Sequence, residues 1–403
     1  MVNVKAASTG AVVVLACLLG DALAHPGETH TAEKRKRDLE QNHVAIQHAK
    51  RAVAQCSGSE NGQRLARKAA ARRAAKAQEL REKRGLEYAG MKTKRDQAAL
   101  DEWMKVCHNR EELGYDLGTP FETIFSSNAT LGLAPETIIG PYWVTGEAIR
   151  SDLTESEAGV PVHLDLQFID IASADCAPVP DMLVDLWHAN ALGSYSGVSM
   201  GAGLNTTFLR GVQLTDEQGV VEFDTLFPGH YTGRVNHIHV TSNLGGELLE
   251  NGTYAAATGT VNHIGQIYFD QELINWVETL SPYLGNDMKL VLNSQDFLAA
   301  QQASQEYDPF LDYVMLSEDP ADGLLMWMTF GINGTADYNR QATPGAHYYE
   351  GGGVDAGPQF PGFPGNFTMP PGGFPMPPAP TPTSKPIWGP CMKKRDMEEE
   401  EEE

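Results

Sequence analysis

Beyond its first 24 residues, the chain has no long hydrophobic run. A transmembrane helix needs about 20 consecutive apolar residues, and no later stretch comes near this length, so the sequence predicts no membrane anchor. The first 24 residues have the features of a secretory signal peptide: Lys5 near the start, the apolar stretch AVVVLACLLG, and a small-x-small cleavage site that ends at Ala24. The sequence therefore predicts a secreted, extracellular protein.

Cysteine is also scarce, and the absence of any Cys-x-x-C pair argues against a zinc site built from thiolates. Cys17 lies in the predicted signal peptide, so the mature chain keeps Cys56, Cys107, Cys176 and Cys391. An even number of cysteines in an oxidising compartment predicts two disulfides, and the sequence leaves all three connectivities open.

Five N-glycosylation sequons are spread along the chain, each with Thr two positions after the Asn. They begin at Asn128, Asn205, Asn251, Asn333 and Asn366. Together with the signal peptide, they predict a glycoprotein of a eukaryotic secretory pathway.

Positive charge is concentrated in one segment of this acidic chain, whose formal net charge is -23. Residues 33–95 hold 18 of the 30 Lys and Arg residues and only 7 acidic ones. The Ala, Leu, Glu, Lys and Arg content of RLARKAAARRAAKAQELREKR predicts a helix. No aromatic residues interleave with the basic ones in this stretch, so we expect no nucleic-acid partner. The alternatives are a helical leader that docks on its own acidic domain and a propeptide.

Composition divides the chain into four parts: a signal peptide (1–24), a basic helical leader or propeptide (25–99), a globular β domain (100–345), and a Pro/Gly-rich tail (346–403) with an acidic end. The tail is too rich in Pro and Gly to build a packed core, and we expect it to be disordered.

Short strands separated by Gly, Pro and Asp turns predict a mainly β protein whose catalytic domain is an antiparallel β-sandwich. In VHLDLQFIDI (162–171) Val162, Leu164, Leu166 and Phe168 face one way, and the polar residues between them face the other. The segments MLVDLWHA, GVVEFDTL, RVNHIHVTS and GQIYF are further strands, and DQELINWVETL is a helix.

The stretch GRVNHIHV (233–240) places two histidines on one strand face, since residues i and i+2 of a strand point the same way. His237 and His239 therefore have the spacing of a bidentate metal site, although two polar residues on a solvated face would show the same pattern. Tyr195 and Tyr231 each lie in a Gly-rich turn near a strand end, from which their rings could reach a shared centre.

Four motifs, GPYW, DLWHANALGSYSG, FPGHYTGRVNHIHV and GQIYF, occur in this order, and together they resemble the intradiol ring-cleavage dioxygenases, in particular their secreted fungal branch. The resemblance extends from about Glu122 to Ile332. It implies a non-haem Fe(III) enzyme that inserts both atoms of O2 into a catechol-type aromatic diol and opens the ring to a muconate-type product. It leaves open which catechol is used and whether the protein is a homodimer.

The resemblance also implies roles for individual residues. Tyr195 would be the iron ligand that stays bound during turnover, and Tyr231 the ligand that leaves when the substrate arrives. His237 and His239 would complete the set. Fe(III) is a hard cation that favours anionic oxygen donors, and two phenolates with neutral imidazoles suit it.

Three further residues match positions that the family uses near the substrate: Tyr142 in GPYW as a pocket residue, and Arg234 and Gln266 beside the bound catecholate. Strand parity conflicts with the role of Arg234, since in a fully extended strand it would face away from the histidines. The chain must therefore bend near Val235. A surface Arg, an ordinary buried Gln and a core aromatic remain the alternatives.

Two other interpretations compete with this one. A cupin also binds metal through His-x-His, but it needs a Glu about four or five positions later, and the first acidic residue here is Glu247. A non-catalytic secreted β-sandwich binding protein that retains the metal site is the second alternative. Four converging polar ligands argue against it. His188 is left out of the ligand set because the family's site does not need it.

Overall fold

Alternating apolar residues along the long strands build two facing β-sheets. The structure, a computed structural model, describes residues 56, 59–85, 104, 106–110, 125, 136–171, 176–255, 258–303 and 307–356. Its strands in chain order are β1 (Val144–Thr145), β2 (Pro161–Asp170), β3 (Ala177–Pro178), β4 (Leu183–Trp187), β5 (Arg210–Leu214), β6 (Val220–Leu226), β7 (His237–Leu244), β8 (Glu247–Leu248), β9 (Tyr254–Ala255), β10 (Thr260–Tyr268), β11 (Asp312–Met315), β12 (Leu324–Ile332), β13 (Ala346–Tyr349) and β14 (Gly352–Asp355). Its helices are α1 (Glu60–Arg84), α2 (Gln271–Val277) and α3 (Phe297–Gln302), with 3₁₀ turns at Tyr283–Gly285, Asn293–Gln295 and Pro320–Asp322.

The two sheets enclose the main hydrophobic core. One has four antiparallel strands in the order β10-β7-β4-β5, and the other has five, β11-β12-β2-β3 with β6 also paired to β2. The inward residues of β2 are Val162, Leu164, Leu166 and Phe168, as the alternation predicts. They pack in one cluster with residues such as Ile238 on β7 of the facing sheet. The predicted mainly β sandwich is thereby confirmed, although β2 and β12 pair in parallel.

Helix α1 covers the outer face of the five-stranded sheet. It begins after the N-cap Ser59 and ends at Gly85, whose left-handed φ of 66° suits glycine. Arg72 and Arg73 donate to the two oxygens of Asp165 on β2 over 2.6 to 3.1 Å. The polar face of β2 is thus buried beneath the leader helix.

Further contacts link this helix to the rest of the chain. Its alanines pack on Trp327 and Leu325 of β12, and Cys56, just before the helix, is disulfide-bonded to Cys176. Cys107 is disulfide-bonded as well. None of the helices in the described ranges combines the length and apolarity that a membrane span requires.

A buried histidine joins residues 106–110 to the sandwich. The His108 ring lies between Asp270 at the start of α2 and Asp308, and its Nε2 is 2.8 Å from an Asp308 oxygen. Burial alone would lower the pKa of His108, but the two carboxylates reverse this effect and hold the pKa well above its ordinary value.

The predicted boundary after residue 345 needs correction. Strands β13 and β14 form a hairpin within the range assigned to the tail, and β13 pairs in parallel with β1. The ordered unit therefore extends at least to Asp355. The signal peptide, the boundary at residue 99 and the rest of the tail lie outside the described residues.

Candidate metal centre

The site lies on the outer face of the four-stranded sheet. His237 and His239 on β7 point away from the core, whereas Ile238 and Val240 point into it. The two imidazoles therefore lie on the face of the sheet opposite the core, beneath the loops that carry the tyrosines. Cross-strand neighbours share a face, and in register with His239 stand Trp187 on β4 and Gln266 on β10.

The structure brings the four predicted ligands together. The ring centroids of Tyr195 and Tyr231 are 5.4 Å apart, and those of Tyr195 and His239 are 6.0 Å apart. The Tyr231 ring lies 5.5 Å from His237, and the two imidazoles are 4.9 Å apart. All four side chains are buried. Two phenol oxygens and two imidazoles thus surround one small volume.

The arrangement of the imidazoles fits a metal ion. His237 Nδ1 lies 2.6 Å from the carbonyl of Val235, which makes Nδ1 the protonated nitrogen and turns an unprotonated Nε2 towards the site. His237 Nε2 and His239 Nε2 are 3.2 Å apart. Two nitrogen ligands at about 2.1 Å from one ion, at an angle of about 100°, would be about 3.2 Å apart.

The tyrosines also fit an oxophilic cation. Burial raises the pKa of Tyr195 well above its ordinary value, and the phenols of Tyr231 and Tyr142 raise it further. Burial likewise raises the pKa of Tyr231, although the Arg234 guanidinium opposes this. The Tyr195 hydroxyl is buried, and the Tyr231 phenol lies close to it. A trivalent ion at this point would offset the burial and ionise both phenols.

Arg234 reaches the centre despite the conflict with strand parity. β7 begins only at His237, and a turn with Gly233 at φ 85° carries the chain into it, so the backbone bends before Val235. The Arg234 side chain is fully buried, with Nη1 3.4 Å from the Tyr231 hydroxyl and 3.5 Å from His237 Nε2. A permanent positive charge therefore lies beside the ligand that is predicted to dissociate.

Asp296 balances that charge, and sequence reasoning missed it. Its Oδ2 accepts from Arg234 Nε at 2.7 Å and from the Val235 amide at 3.0 Å, while Oδ1 caps α3. The only local signal was an Asp before FLAAQQ, which indicates a helix cap. The pairing with Arg234 spans 62 residues and has no sequence pattern.

Gln266 is fixed at its oxygen and not at its nitrogen. Oε1 accepts from Arg234 Nη2 at 2.6 Å and from the Tyr268 hydroxyl at 2.9 Å. Nε2 is buried and has no partner among the described residues. This leaves amide N–H groups available for a ligand in the site. Tyr268 is a second residue that the sequence analysis did not single out.

The remaining candidates separate into pocket and structural residues. Tyr142 is partly buried and stacks on Tyr195 with centroids 4.1 Å apart, so it belongs to the site. Trp187 stacks on His239 at 4.8 Å. The two ring nitrogens of His188 are hydrogen-bonded to the Ala189 carbonyl and the Thr225 hydroxyl. Burial lowers the pKa of His188 to about 4, so the ring is neutral and has a structural role.

Comparisons with known proteins identify the family. The model of the family described as "Dioxygenase" matches residues 138–247. Catechol 1,2-dioxygenase 1 of Acinetobacter lwoffii is 31% identical over 105 residues, which are 25% of this chain and 33% of that protein. A dioxygenase of known structure, Tetur07g02040, is 30% identical, with 51% of this chain and 97% of that chain covered and a TM-score of 0.40.

The chain belongs to the intradiol ring-cleavage dioxygenase family. An intradiol ring-cleavage dioxygenase of Tetranychus urticae is 29% identical over 52% of this chain and 98% of that one, with a TM-score of 0.42. The chain spans about a third of the length of the curated catechol dioxygenases that it matches. In the part described by the structure, no three His, Cys, Asp or Glu side chains form a metal-binding group.

Proposed function

We propose that this protein is a secreted non-haem Fe(III) dioxygenase that cleaves a catechol between its two hydroxyl-bearing carbons and gives a muconate-type product. The observation that carries the proposal is the convergence of two tyrosines and two histidines in one buried volume beside Arg234. The names of the curated relatives support catechol as the substrate class. Both atoms of O2 enter the product, so the reaction needs no external reductant.

The iron, when bound, would ionise the coordinating phenols and make the chelated diol reactive towards O2. The chain's own residues would hold it through Tyr195, His237 and His239. The Tyr231 phenolate oxygen would take a proton from the arriving diol, and the contacts of the Tyr231 ring with Tyr195 and His237 support this role.

Two further groups would orient the substrate. Arg234 would place its charge next to the anionic substrate oxygens, since its Nη1 already faces the Tyr231 hydroxyl. Gln266 would donate from Nε2, which has no partner among the described residues, and Tyr142 would form part of the pocket wall against the ring. Burial of these groups excludes water from the reacting atoms.

The two tyrosines provide the test. Tyr195→Phe should lose most of its iron and of the red-brown phenolate-to-Fe(III) colour. Tyr231→Phe should keep much of its iron and bind catechol, but turn over about 10² to 10⁴-fold more slowly per iron, the range typical of a lost general base. Iron content is measured first, and rate is followed as O2 uptake with a panel of catechols. A colourless parent protein without O2 uptake would instead favour a binding protein.

We also propose that the protein is exported and glycosylated. Asn205 and Asn251, which begin two of the sequons, are exposed, and the Cys56–Cys176 disulfide suits an oxidising compartment. Expression in a eukaryotic host should place the protein in the medium, and glycosidase treatment should lower its apparent mass. Retention inside the cells without any mass shift would contradict export.

A further inference from the structure

Arg210 is a buried cation that the proposed chemistry does not use. It begins β5, its side chain is 3% exposed, and in the strand ladder it stands opposite Trp187. Trp187 in turn stands opposite His239. Since residues in register share a sheet face, Arg210 projects to the same side of the sheet as the proposed ligand.

The guanidinium binds the two segments that carry the stacked tyrosines. Nη2 donates to the carbonyl of Tyr142 at 3.0 Å and to the carbonyl of Ser196 at 2.6 Å, and Nε donates to the Ser196 hydroxyl at 2.8 Å. Ser196 directly follows Tyr195, so these bonds fix the peptide that leads away from the proposed ligand. The rings of Tyr142 and Tyr195 are nearly parallel, at 7°.

The turn after Ser196 is shaped to accept this guanidinium. Gly197 has a φ of 72°, a conformation that favours glycine, and a Cβ there would lie 3.2 Å from Arg210 Nε. A side chain at this position would therefore be strained and would crowd the guanidinium. The loop approaches Arg210 closely because a glycine stands here.

Two buried acidic side chains contact Arg210 and the GPYW segment. Glu147 accepts from Arg210 Nη1 at 2.5 Å, and its side chain is 2% exposed. Asp185 accepts from the indole nitrogen of Trp143 at 2.7 Å. The segment that bears Tyr142 is thus anchored twice, through its own carbonyl and through the neighbouring Trp143.

We propose that Arg210, held by Glu147, is a positioning residue that sets the Tyr195 phenol against Tyr142 and towards the two histidines. The proposal rests on the proposed iron-binding function of Tyr195. Arginine is required because its planar guanidinium donates to Glu147, to the Tyr142 carbonyl and to Ser196 at the same time. A lysine could pair with Glu147 but could not donate to all the other acceptors as well. Arg210 itself touches no reacting atom.

The decisive experiment compares Arg210→Lys with Arg150→Lys in the full chain. Arg150 is a matched control, because it donates to the carbonyls of Thr207 and Arg210 and pairs with Glu155, and no contact of its side chain with either tyrosine segment is found among the described residues. Iron affinity is measured by competition with a chelator, and the phenolate-to-Fe(III) absorption band is recorded for each variant.

Arg210→Lys should weaken iron binding about 10- to 100-fold, as is typical when a residue that orients a metal ligand is lost, and should shift the absorption band. Arg150→Lys should leave both unchanged. Parent-like affinity and band in Arg210→Lys, or equal losses in both variants, would overturn the proposal. If Arg210→Lys does not fold, Ser196→Ala decides instead, since it keeps the Glu147 pair: a shifted band supports the positioning role and an unchanged band overturns it.

Hydrogen exchange on the metal-free protein separates this inference from the proposed function. If the parent binds no iron, the iron-dependent function fails, but the loop can still be tested. The amide of Ala202 donates to the Tyr195 carbonyl at 2.7 Å, which makes it a reporter of the loop. Arg210→Lys should speed exchange at residues 195–203 and not in β7. Unchanged exchange there would overturn the positioning role independently of iron.

Discussion

Replacing Asp165 by asparagine removes the negative charge that binds helix α1 to the five-stranded sheet. The Asp165 side chain is 1% exposed and receives three hydrogen bonds, two from Arg72 and one from Arg73. Arg72 is 19% exposed and could turn towards water, but Arg73 is 2% exposed and would stay buried. Its remaining acceptors are the Phe125 carbonyl at 3.4 Å and the Thr329 hydroxyl at 3.2 Å.

The magnitude follows from these contacts. Removing one partner of a buried ion pair costs about 3 to 5 kcal/mol. Because Arg72 can rehydrate and Arg73 keeps two weaker acceptors, we expect the lower end, about 3 kcal/mol, for Asp165→Asn. With an m-value of about 2 kcal/mol/M, the urea midpoint should fall by about 1.5 M. Trp327 lies under the helix, with Arg73 5.6 Å from its ring, so tryptophan fluorescence reports this contact.

The same substitution should change the acid sensitivity of the protein. Burial alone would raise the pKa of Asp165, but the guanidiniums of Arg73 and Arg72 outweigh it and hold the pKa below its ordinary value. A lowered folded pKa means that the stabilisation is present above the unfolded pKa of about 3.9 and is lost as the pH falls through the folded value. The difference between parent and Asp165→Asn should therefore shrink under strongly acidic conditions.

Glu79→Gln is the matched control on the same helix. Glu79 pairs with Lys83 and Lys76 on the exposed side of α1, where solvent screens the interaction, so the urea midpoint should not move. Equal midpoints for Asp165→Asn and the parent, with equal m-values, would refute the reasoning. It would mean that other contacts, such as the apolar packing and the Cys56–Cys176 disulfide, hold the helix.

Three further predictions concern other parts of the molecule. Protonated His108 stabilises the fold below the unfolded His pKa of about 6.5, and this stabilisation is lost as the pH rises through the raised folded pKa. His108→Gln should therefore lower the melting temperature at neutral and acidic pH, and the melting temperatures of the parent and the variant should converge in alkali. Asp296→Asn leaves Arg234 buried without its counter-charge and should lower turnover per iron about 10- to 100-fold, measured by O2 uptake; an unchanged rate would show that Asp296 has no orienting role. Deleting residues 25–95 should expose the outer face around Trp327 and cause aggregation, visible by size-exclusion chromatography, whereas a soluble, iron-binding product would show that the leader is dispensable.

Local patterns predicted the elements that depend on neighbouring residues. The alternation of β2 gave the correct inward face because strand period decides it. The helix at 60–84 followed from composition and ended at Gly85 as a helix C-cap does. The spacing of His237 and His239 gave their common face for the same reason.

Long-range charge pairing could not be predicted in this way. The outward residues of β2 looked like an ordinary polar strand face, but Asp165 is buried against Arg72 and Arg73, which lie 93 and 92 residues away from it in the sequence. The parity argument at Arg234 assumed an extended chain and did not locate the turn at Gly233. Counter-charges such as Asp296 leave no periodic signal, since any acidic residue at any separation would serve.

Strand register explains why these separate features belong to one site. Arg210, Trp187, His239 and Gln266 stand in one row across β5, β4, β7 and β10, each opposite the next. A slip of one residue between any two strands would turn part of the row towards the core. The apolar residues on the inner faces, such as Ile238 on β7, prevent that slip because it would expose them. The hydrophobic core therefore sets the positions of His239, Gln266 and Arg210, although its own residues lie on the other face of the sheet.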